Sequence, residues 1–400
     1  MPILYFGNDW DAENRTSSHH LAHRLSRAHD LYYFECPGMR APNGSGRDLM
    51  KIVRKLGRFL RGPRQVLPGL KVQTLLQIPL HRFALVRWLN AKLMVSTVRW
   101  VMWRQRIRRP ITWFLIPHVA ALVGRLDERL SVYYCTDSHA SLPNVDVQAI
   151  AAMDEMLTRK ADIVFVASKT LLQDKLALNP NTYHSPHGVD VDHFGRAQLP
   201  GDAPPDIRHL GHPLVGFFGL IEHWIDLDLV AFLAVQRPEW NFLMIGRVAV
   251  PSEKIPRLPN LHFIGQRPYE RLPDFGRQFD AAIIPYRLNQ QVFHANPLKL
   301  REYLAMGKPV VSVRTPETEQ YGDVIEIADG QDAFLKSLDR VIQQRETPET
   351  IQRRSLRVAP FSWDARVRQI LRIVEREAEG DYRGCATNEQ SLATCQRSTV

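Results

Sequence analysis

Short apolar runs alternate with amphipathic stretches along the first half of the chain. Apolar residues at helical spacing predict helices over Ser17–Ala28 and Val147–Lys160. Runs rich in β-branched and aromatic residues predict strands, at Ile3–Phe6, Leu31–Phe34, Ile111–Ile116, Ser131–Cys135 and Ile163–Ala167. Strands that alternate with helices in this way predict a parallel sheet covered on both faces.

The alternation stops in a proline- and glycine-rich stretch and then begins again. The stretch predicts an interdomain linker at 196–213, which separates a first domain at 1–195 from a second at 214–360. A closing helix is expected at 361–380 and a disordered polar tail at 381–400. The predicted fold is α/β, with two doubly wound, Rossmann-like domains that face each other across a cleft. Ligands of such sheets bind at the carboxyl ends of the strands, so the chemistry is expected between the domains.

Composition narrows the class of protein. The 400 residues, 44% of them hydrophobic, suffice for two cores. The four cysteines form no C-x-x-C pair, which predicts neither a zinc site nor a disulfide framework and suits a reducing cytoplasm. We see neither a signal peptide nor 18 consecutive apolar residues, so we expect a protein that is soluble or rests on a membrane without crossing it.

Positive charge is concentrated in one segment. Between Arg47 and Arg109 sixteen Lys and Arg residues face one acid, Asp48, and give a local charge of +15 within a net charge of +10. The rest of the chain is therefore near −5. Such a block favours an anionic partner, whether phosphate, anionic lipid or nucleic acid.

The basic segment begins with an amphipathic pattern. Over Arg47–Arg61, apolar residues form one stripe of a predicted helix, and the other stripe is cationic, with Lys51, Arg54, Lys55 and Arg58. Such a helix can lie in a lipid headgroup layer with its cations on phosphates. Trp88, Trp100 and Trp103, among further arginines, extend this character. The alternative is a helix packed on its own domain with a solvated basic face.

The segment from His294 to Val311 carries the most specific pattern. Asn296 is expected to cap a helix that begins at Pro297. The free amides of Leu298 and Lys299 at the helix start, with the Lys299 charge, suit a diphosphate. Glu302 lies on the same helix face and can accept hydrogen bonds from both hydroxyls of a ribose. The alternative is a capped amphipathic helix with a surface Lys–Glu pair.

Several motifs occur in an order that resembles one enzyme superfamily. The segment N-P-L-K-L-R-E-Y-L-A-M-G-K-P-V-V is joined by five further motifs, P-H-G-V-D-V-D-H-F at 186–194, V-G-F-F-G at 215–219, L-M-I-G-R at 243–247, L-P-N-L-H-F-I-G-Q at 258–266 and A-I-I-P-Y at 282–286. Together they resemble bacterial GT-B glycosyltransferases of cell-surface polysaccharide synthesis. The teichuronic-acid-type transferases and, more distantly, the xanthan glucuronosyltransferase are the members that the chain resembles.

The resemblance implies roles for individual residues on the donor side. It assigns Glu302 to the ribose and Lys299 to the phosphates of a nucleoside-diphosphate sugar. Tyr286 would line the pocket, and the loop with Gln266 and Arg267 would border the base. Gly219 would allow close approach of the diphosphate, although a tight strand-to-helix turn explains this glycine equally well.

Two positions depart from the family pattern. Many retaining members carry a second glutamate eight residues before the ribose-binding one, where this chain has His294. Many also hold the diphosphate with an Arg and a Lys after the first strand of the second domain, where this chain has G-L-I-E-H-W-I-D. Phosphate binding is therefore expected to rely on the 296–299 helix start, with Arg247 as a further candidate.

The acceptor side offers a candidate base. Asp137 follows a predicted strand, at the edge that should face the cleft, and resembles the catalytic aspartate of the xanthan glucuronosyltransferase, an inverting enzyme. His139 is the competing base. An aspartate after a strand is also a common turn or cap residue. Nearer the N-terminus, Asp9 and His20 are candidate acceptor contacts, and the alternative for His20 is a helix-start histidine without a chemical role.

We therefore predict an enzyme that transfers a sugar from a nucleoside-diphosphate donor, a UDP-sugar, to a lipid-diphosphate-linked or polysaccharide acceptor, with a weak preference for inversion. It would need no metal or other cofactor and would work in the cytoplasm at the inner face of the membrane. One alternative is a sugar-nucleotide 2-epimerase of the same fold, which is not expected to carry a basic amphipathic helix. The other is a nucleic-acid-binding protein, which leaves the donor-side motifs unexplained.

Overall fold

The computed structural model describes residues 1–12, 15–36, 57–59, 61–78, 83–142 and 145–379. Within these ranges the chain forms an eight-stranded sheet followed by a six-stranded sheet. No helix of the described ranges combines the length and the apolarity that a bilayer span requires. The predicted tail at 381–400, and Lys51, Arg54 and Lys55, lie outside the described residues.

The first sheet has the strand order β3-β4-β2-β1-β5-β6-β7-β8. Its strands are β1 (Pro2–Gly7), β2 (Asp30–Glu35), β3 (Arg64–Leu67), β4 (Leu70–Thr74), β5 (Ile111–Phe114), β6 (Leu130–Cys135), β7 (Ile163–Val166) and β8 (Thr182–His184). Its helices are α1 (Ser17–Leu25), α2 (Ala84–Gln105), α3 (Val147–Lys160), α4 (Lys169–Leu176) and α5 (Val191–Gly195).

The basic segment departs from the prediction of a purely parallel sheet. Its residues supply the edge strand β3 and the neighbouring strand β4, and β3 pairs with β4 antiparallel, with Arg64 opposite Val72. The tight turn at Gly69, where φ is +73°, reverses the chain. Part of the segment predicted to face a membrane is therefore built into the sheet, because the apolar positions Leu70 and Val72 are buried in the core.

Aromatic side chains on the central strands stabilise the first sheet. Phe6 of β1 stacks between Phe34 of β2 and Phe114 of β5, with ring centroids 5.1 and 5.0 Å away. The parallel register places the three residues side by side, and all three are fully buried. Each such aromatic pair contributes about 0.5–1.5 kcal/mol beyond the burial of its area.

The second sheet has the order β11-β10-β9-β12-β13-β14, and its neighbouring strands run parallel to one another. Its strands are β9 (Leu214–Phe218), β10 (Asn241–Ile245), β11 (Leu261–Gly265), β12 (Ala281–Ile284), β13 (Val310–Val313) and β14 (Glu326–Ala328). Its helices are α6 (Leu227–Gln236), α7 (Leu272–Arg277), α8 (Gln290–His294), α9 (Leu298–Ala305), α10 (Gln331–Gln343) and α11 (Pro348–Val358). The strand order reverses between β9 and β12, and ligands of doubly wound sheets bind at this switch point.

The last described helix, α12 (Trp363–Glu379), returns to the first domain. Its buried residues Trp363, Val367 and Ile370 belong to the same core as β1 and β5. The Trp363 ring lies so close to Gly188 that a Cβ there would be 2.5 Å from Cδ2. The chain therefore crosses between the domains a second time, and the crossing is tied to the sheet of the first domain.

Candidate active site

The switch point of the second sheet brings a glycine and a lysine into contact. Gly219 follows β9 with φ at +142°, and a Cβ there would lie 2.7 Å from Cε and 2.9 Å from Nζ of Lys299. Lys299 in turn donates a hydrogen bond of 3.2 Å to the Tyr286 hydroxyl. Its ammonium lies 5.2 Å from the centre of the Phe217 ring. Three residues predicted on the donor side, 80 positions apart in sequence at the widest, thus meet at one point.

A second glycine makes this packing of backbones and side chains possible. Gly246 follows β10 with φ at +149°, and a Cβ there would lie 1.8 Å from the Gly219 carbonyl oxygen. The Gly219 amide donates to the Ile245 carbonyl at 2.8 Å. The sequence motif L-M-I-G-R contained this residue, but the pattern alone did not distinguish its backbone role from that of Arg247.

Helix α9 is fixed to the end of β9 by a buried tyrosine. The amide of Phe218 donates to the Tyr303 hydroxyl at 2.9 Å, and the two rings pack edge to face. This contact places the first turn of α9, with Leu298 and Lys299, beside Gly219. The first amides of a helix have no acceptor within the helix and carry its positive dipole end, so they suit a phosphate.

The helix start differs from the predicted cap. Pro297, not Asn296, is the N-cap, and no side chain caps the helix. The Asn296 side chain is buried and donates instead to Glu317 Oε2 at 2.6 Å, while its oxygen accepts from Arg301 at 2.5 Å. A buried amide needs partners for both its oxygen and its nitrogen, and the acid and the guanidinium supply them.

Glu302 lies one turn along α9 from Lys299, on the side of the cleft. Desolvation raises the pKa of its carboxyl group to about 7, against the opposing effect of the nearby Lys299 charge. The carboxyl also lies close enough to Tyr269 to help raise the pKa of that phenol, after the larger effect of burial. Among the described residues no ion pair engages this carboxyl group, and a desolvated carboxyl of this kind is a strong candidate for binding hydroxyl groups.

The remaining donor-side candidates lie around this centre with less direct contact. Arg247 is exposed next to Gly246. Gln266 is half-buried, and Arg267 forms an ion pair with Asp206, at 2.6 Å, and donates to the Ile264 carbonyl. The Arg267 guanidinium is therefore engaged with its own domain and faces the linker acid.

Asp137 follows β6 and is half-buried at the cleft. Desolvation raises the pKa of its carboxyl group, opposed by His139, by the Ser138 amide at 2.8 Å, and by Gln291 and His294. Gln291 and His294 belong to α8 of the second domain, so the environment of Asp137 is completed across the cleft. Neither was a predicted site residue, although the absence of an acid at position 294 had been noted.

His139 lies deeper than Asp137. Its side chain is buried in the first domain, and burial lowers the pKa of its imidazole, while Asp154 and Asp137 oppose that effect. His294 instead faces a first-domain acid, with Nε2 3.3 Å from an Asp174 carboxylate oxygen. The position of Asp137 at the cleft makes it better placed than His139 to meet a substrate hydroxyl.

The two predicted acceptor contacts are engaged in packing and ion pairs. His20 is buried and stacks on Trp363 at a centroid distance of 5.0 Å, and burial lowers its pKa to about 3. Asp9 lies 3.7 Å from Arg58, which also pairs with Asp11 at 2.7 Å. Arg58 was predicted to face lipid phosphates, but it points to these acids of its own domain because they offer it closer anionic partners.

One group of carboxylates has the geometry of a cation site. Within the described ranges, oxygens of Asp9, Asp11 and Glu35 lie within 4.8 Å of one another. Arg64 is 2.8 Å from Asp11 and 3.8 Å from Glu35, and Arg58 pairs with the other side of the group. Two guanidinium groups already pair with these three acids and offset most of their charge, so we assign no metal here, and the prediction of a metal-independent enzyme stays a prediction.

Comparison with known proteins shows which families and structures the chain is similar to. The family described as Glycosyl transferases group 1 matches residues 212–344, which include β9, α9 and the residues around Gly219. A Bacillus subtilis (strain 168) protein named as a teichuronic acid biosynthesis glycosyltransferase, TuaH, is 28% identical over 287 residues, which are 65% of this chain and 70% of that protein.

Solved structures with the same fold are more distant in sequence. Sucrose-phosphate synthase from Thermosynechococcus elongatus has a TM-score of 0.69 and 14% identity over 95% of this chain and 99% of its own. Anabaena HepE, in complex with UDP and glucose, has a TM-score of 0.65 and 14% identity over 93% and 99%. These likenesses establish the GT-B fold. The family match over residues 212–344 and the Bacillus relative show, in addition, that the chain is similar to group 1 glycosyltransferases, including one of bacterial surface-polysaccharide synthesis.

Proposed function

We propose that the protein transfers a sugar from a UDP-sugar to a lipid-diphosphate-linked or polysaccharide acceptor in cell-surface glycan synthesis. The observation that carries the proposal is the meeting of Gly219, Tyr286 and Lys299 at the switch point of the second sheet. A positive charge, a helix start and a bare backbone at one point suit a diphosphate. HepE, which shares the fold, binds UDP and glucose, and this supports the choice of donor.

The donor would lie with its diphosphate against the first turn of α9. Lys299 would neutralise the phosphates as the leaving group departs, and Gly219 would let them approach the backbone. Glu302 would accept hydrogen bonds from the ribose hydroxyls. These hydrogen bonds would stabilise the ionised form of its carboxyl group. Arg247 and Gln266 would lie at the edge of this pocket, towards the phosphates and the base respectively.

Asp137 would act as the base that removes the proton of the acceptor hydroxyl as this oxygen attacks the anomeric carbon. Desolvation raises the pKa of the carboxyl group, and a carboxylate with a raised pKa is a stronger base than an ordinary one. Its proximity to α8 of the donor domain supports a position beside the anomeric carbon. Direct displacement with Asp137 as base inverts the configuration, which an NMR spectrum of the first product would report.

An acceptor could approach between the domains. A cavity of about 460 Å³ opens there, lined by α4 residues Lys169 and Gln173, by Phe293 of α8, and by the segment at 316–320. Its lining is polar, with the cation Lys169, the acid Glu319 and the aromatic ring of Phe293, and such a mixture can bind the hydroxyl groups and the ring face of a sugar acceptor. We propose that the enzyme works on the cytoplasmic side of the membrane, held there peripherally, without a metal and without nucleic acid as a partner.

Thermal unfolding in the presence of UDP tests the donor assignment. UDP should raise the melting temperature of the purified protein because it binds the native state alone. Lys299→Ala and Glu302→Ala should each reduce the shift, whereas Lys336→Ala, on α10 away from the switch point, should leave it unchanged. The proposal fails if both site variants respond to UDP as the wild type does.

A further inference from the structure

Helix α2 is apolar on both of its faces, although only one face is buried. Met94, Val98 and Val101 pack into the core of the first domain. The opposite face exposes a second apolar set, namely Leu85, Trp88, Leu89, Leu93, Trp100 and Trp103. Trp103 is 78% exposed, Leu85 68% and Trp88 56%. Several large apolar side chains exposed on one side of a helix normally indicate a surface that contacts an apolar partner.

The exposed set forms one stripe along α2, which the exposed residues Lys92, Ser96 and Arg99 interrupt. At 100° per residue, Leu85, Leu89 and Trp103 lie within about 40° of one another, and the other three lie to either side of them. Three tryptophans within one patch are unusual for a solvated surface, where single apolar residues are the norm. We call this stripe, from Leu85 to Trp103, the α2 apolar face.

Cations surround the α2 apolar face. From Ala84 to Arg109 the chain carries seven Lys and Arg residues and no acid, a charge of +7. The Lys92 ammonium lies 5.8 Å from the Trp88 ring centre, and the Arg104 guanidinium lies 5.4 Å from that of Trp100. Tryptophan combined with cations at the rim is the composition of surfaces that enter the headgroup layer of an anionic membrane.

We propose that the α2 apolar face inserts its tryptophans into the headgroup region of a bilayer that contains anionic lipid, with the neighbouring cations on lipid phosphates. This rests on the peripheral membrane location proposed above and names the surface responsible. A second copy of the chain is a poorer occupant, because two faces of charge +7 repel each other. The chain's own residues 381–400 carry two acids and two arginines and few large apolar residues, so they complement neither the charge nor the apolar surface.

The location in the first domain agrees with an acceptor held by a lipid. Helix α2 precedes β5, which lies between β1 and β6, and β6 leads to Asp137. The same domain that offers the candidate base would therefore rest on the lipid surface.

Flotation with vesicles tests the surface. The full-length protein should float with vesicles of phosphatidylcholine and phosphatidylglycerol, and high salt should weaken but not abolish flotation, because insertion of tryptophan is not screened. The triple variant Trp88→Ser, Trp100→Ser, Trp103→Ser should bind about 100-fold more weakly, since three large apolar side chains no longer leave water. Brominated lipid should quench tryptophan fluorescence of the wild type and not of the variant.

A matched variant replaces exposed apolar residues elsewhere. Leu199→Ser, Val235→Ser, Leu356→Ser removes side chains that are 58–61% exposed in the linker and the second domain, and it should float as the wild type does. Equal flotation of the tryptophan variant and the wild type, or a wild type that stays unbound, overturns the proposal. It is also overturned if the tryptophan substitutions convert a dimer into a monomer in sedimentation, or if deletion of 381–400 is needed before the wild type floats.

UDP thermal shifts separate this proposal from the donor assignment. The tryptophan variant should keep the wild-type response to UDP, which also shows that it is folded. If neither protein responds to UDP while only the wild type floats, the donor assignment fails and the membrane surface stands.

Discussion

The two edges that face each other across the cleft are assembled differently. On the second domain, Lys299 lies against Gly219 and donates a hydrogen bond to Tyr286, so the donor edge is complete within that domain. On the first domain, Asp137 has Gln291 and His294 of the opposite domain among the groups that set its pKa. The donor edge is thus independent of domain closure, whereas the properties of the candidate base depend on it.

Loss of the Asp137 carboxylate should have the largest effect. Asp137→Asn should lower kcat by about 10²–10⁴-fold, because the amide keeps the shape of the side chain but cannot take a proton. UDP affinity should be unchanged, since the donor edge does not include this residue. Steady-state turnover and UDP titration together measure the two effects. His139→Ala is the comparison, and if it abolishes turnover while Asp137→Asn does not, His139 is the base.

Gly219→Ala should reduce UDP binding at the donor edge without disturbing the first-domain edge that carries Asp137. The new Cβ meets Cε and Nζ of Lys299, and the flexible lysine moves away more easily than the backbone does. We expect UDP affinity to fall by about 10- to 100-fold, as displaced charge and strained φ act together. Titration calorimetry measures the loss. Gly330→Ala, also at positive φ but with nothing within 4 Å, should keep wild-type affinity, and equal losses in both variants would assign the effect to strain alone.

The donor edge could be predicted from the sequence better than the edge with Asp137, because the latter depends on contacts between the two domains. Lys299 and Glu302 are three residues apart on one helix, so a local pattern was sufficient to pair them. The contact of Asp137 with α8 joins positions more than 150 apart, and no local pattern encodes it. Asn296 was wrongly predicted as a cap. Its actual partner, the buried Glu317, lies 21 residues further on, where a local pattern cannot show it.

Some helices and strands of the fold were predicted from the sequence and others were missed. The apolar central strands and α3 were predicted, because burial on both faces gives continuous apolar runs. Strands β3 and β4 were missed, since both are short and carry polar residues, such as Arg64 on the edge strand β3 and Gln73 on β4. Helix α2 was missed as a helix, because apolar residues on both faces remove the periodicity by which an amphipathic helix is recognised.

Glu317 connects the two edges, so its replacement should reduce stability. Its buried carboxylate accepts hydrogen bonds from Asn296 and from the Lys169 amide, at 3.1 Å, at the start of α4 in the first domain. Glu317→Ala leaves these donors and the buried Arg301 without the acid, and the free energy of unfolding should fall by about 1–3 kcal/mol. Urea unfolding measures it. Glu319→Ala, at a half-exposed acid two residues on, should change it much less, and similar losses would argue against a special role for the contact.

The smallest expected effect is the pH dependence of nucleoside binding at Glu302. With a pKa of about 7, its ionised fraction rises from about one tenth at pH 6 to about nine tenths at pH 8. A carboxylate accepts stronger hydrogen bonds from ribose hydroxyls than a carboxylic acid does, so uridine should bind about threefold more tightly at pH 8. Uridine is the suitable probe because it has no phosphate that titrates in this range.

The free energy of unfolding should change with pH in the opposite sense. A carboxyl group whose pKa is raised in the folded state contributes stability that is complete below the ordinary pKa near 4.5. This contribution is lost as the pH rises through about 7. Glu302→Gln should therefore bind uridine equally at both pH values and gain stability relative to the wild type as the pH increases. A wild type whose uridine affinity is flat between pH 6 and 8 would show that Glu302 does not titrate against the ribose, and the donor edge would then rest on Lys299 and Gly219 alone.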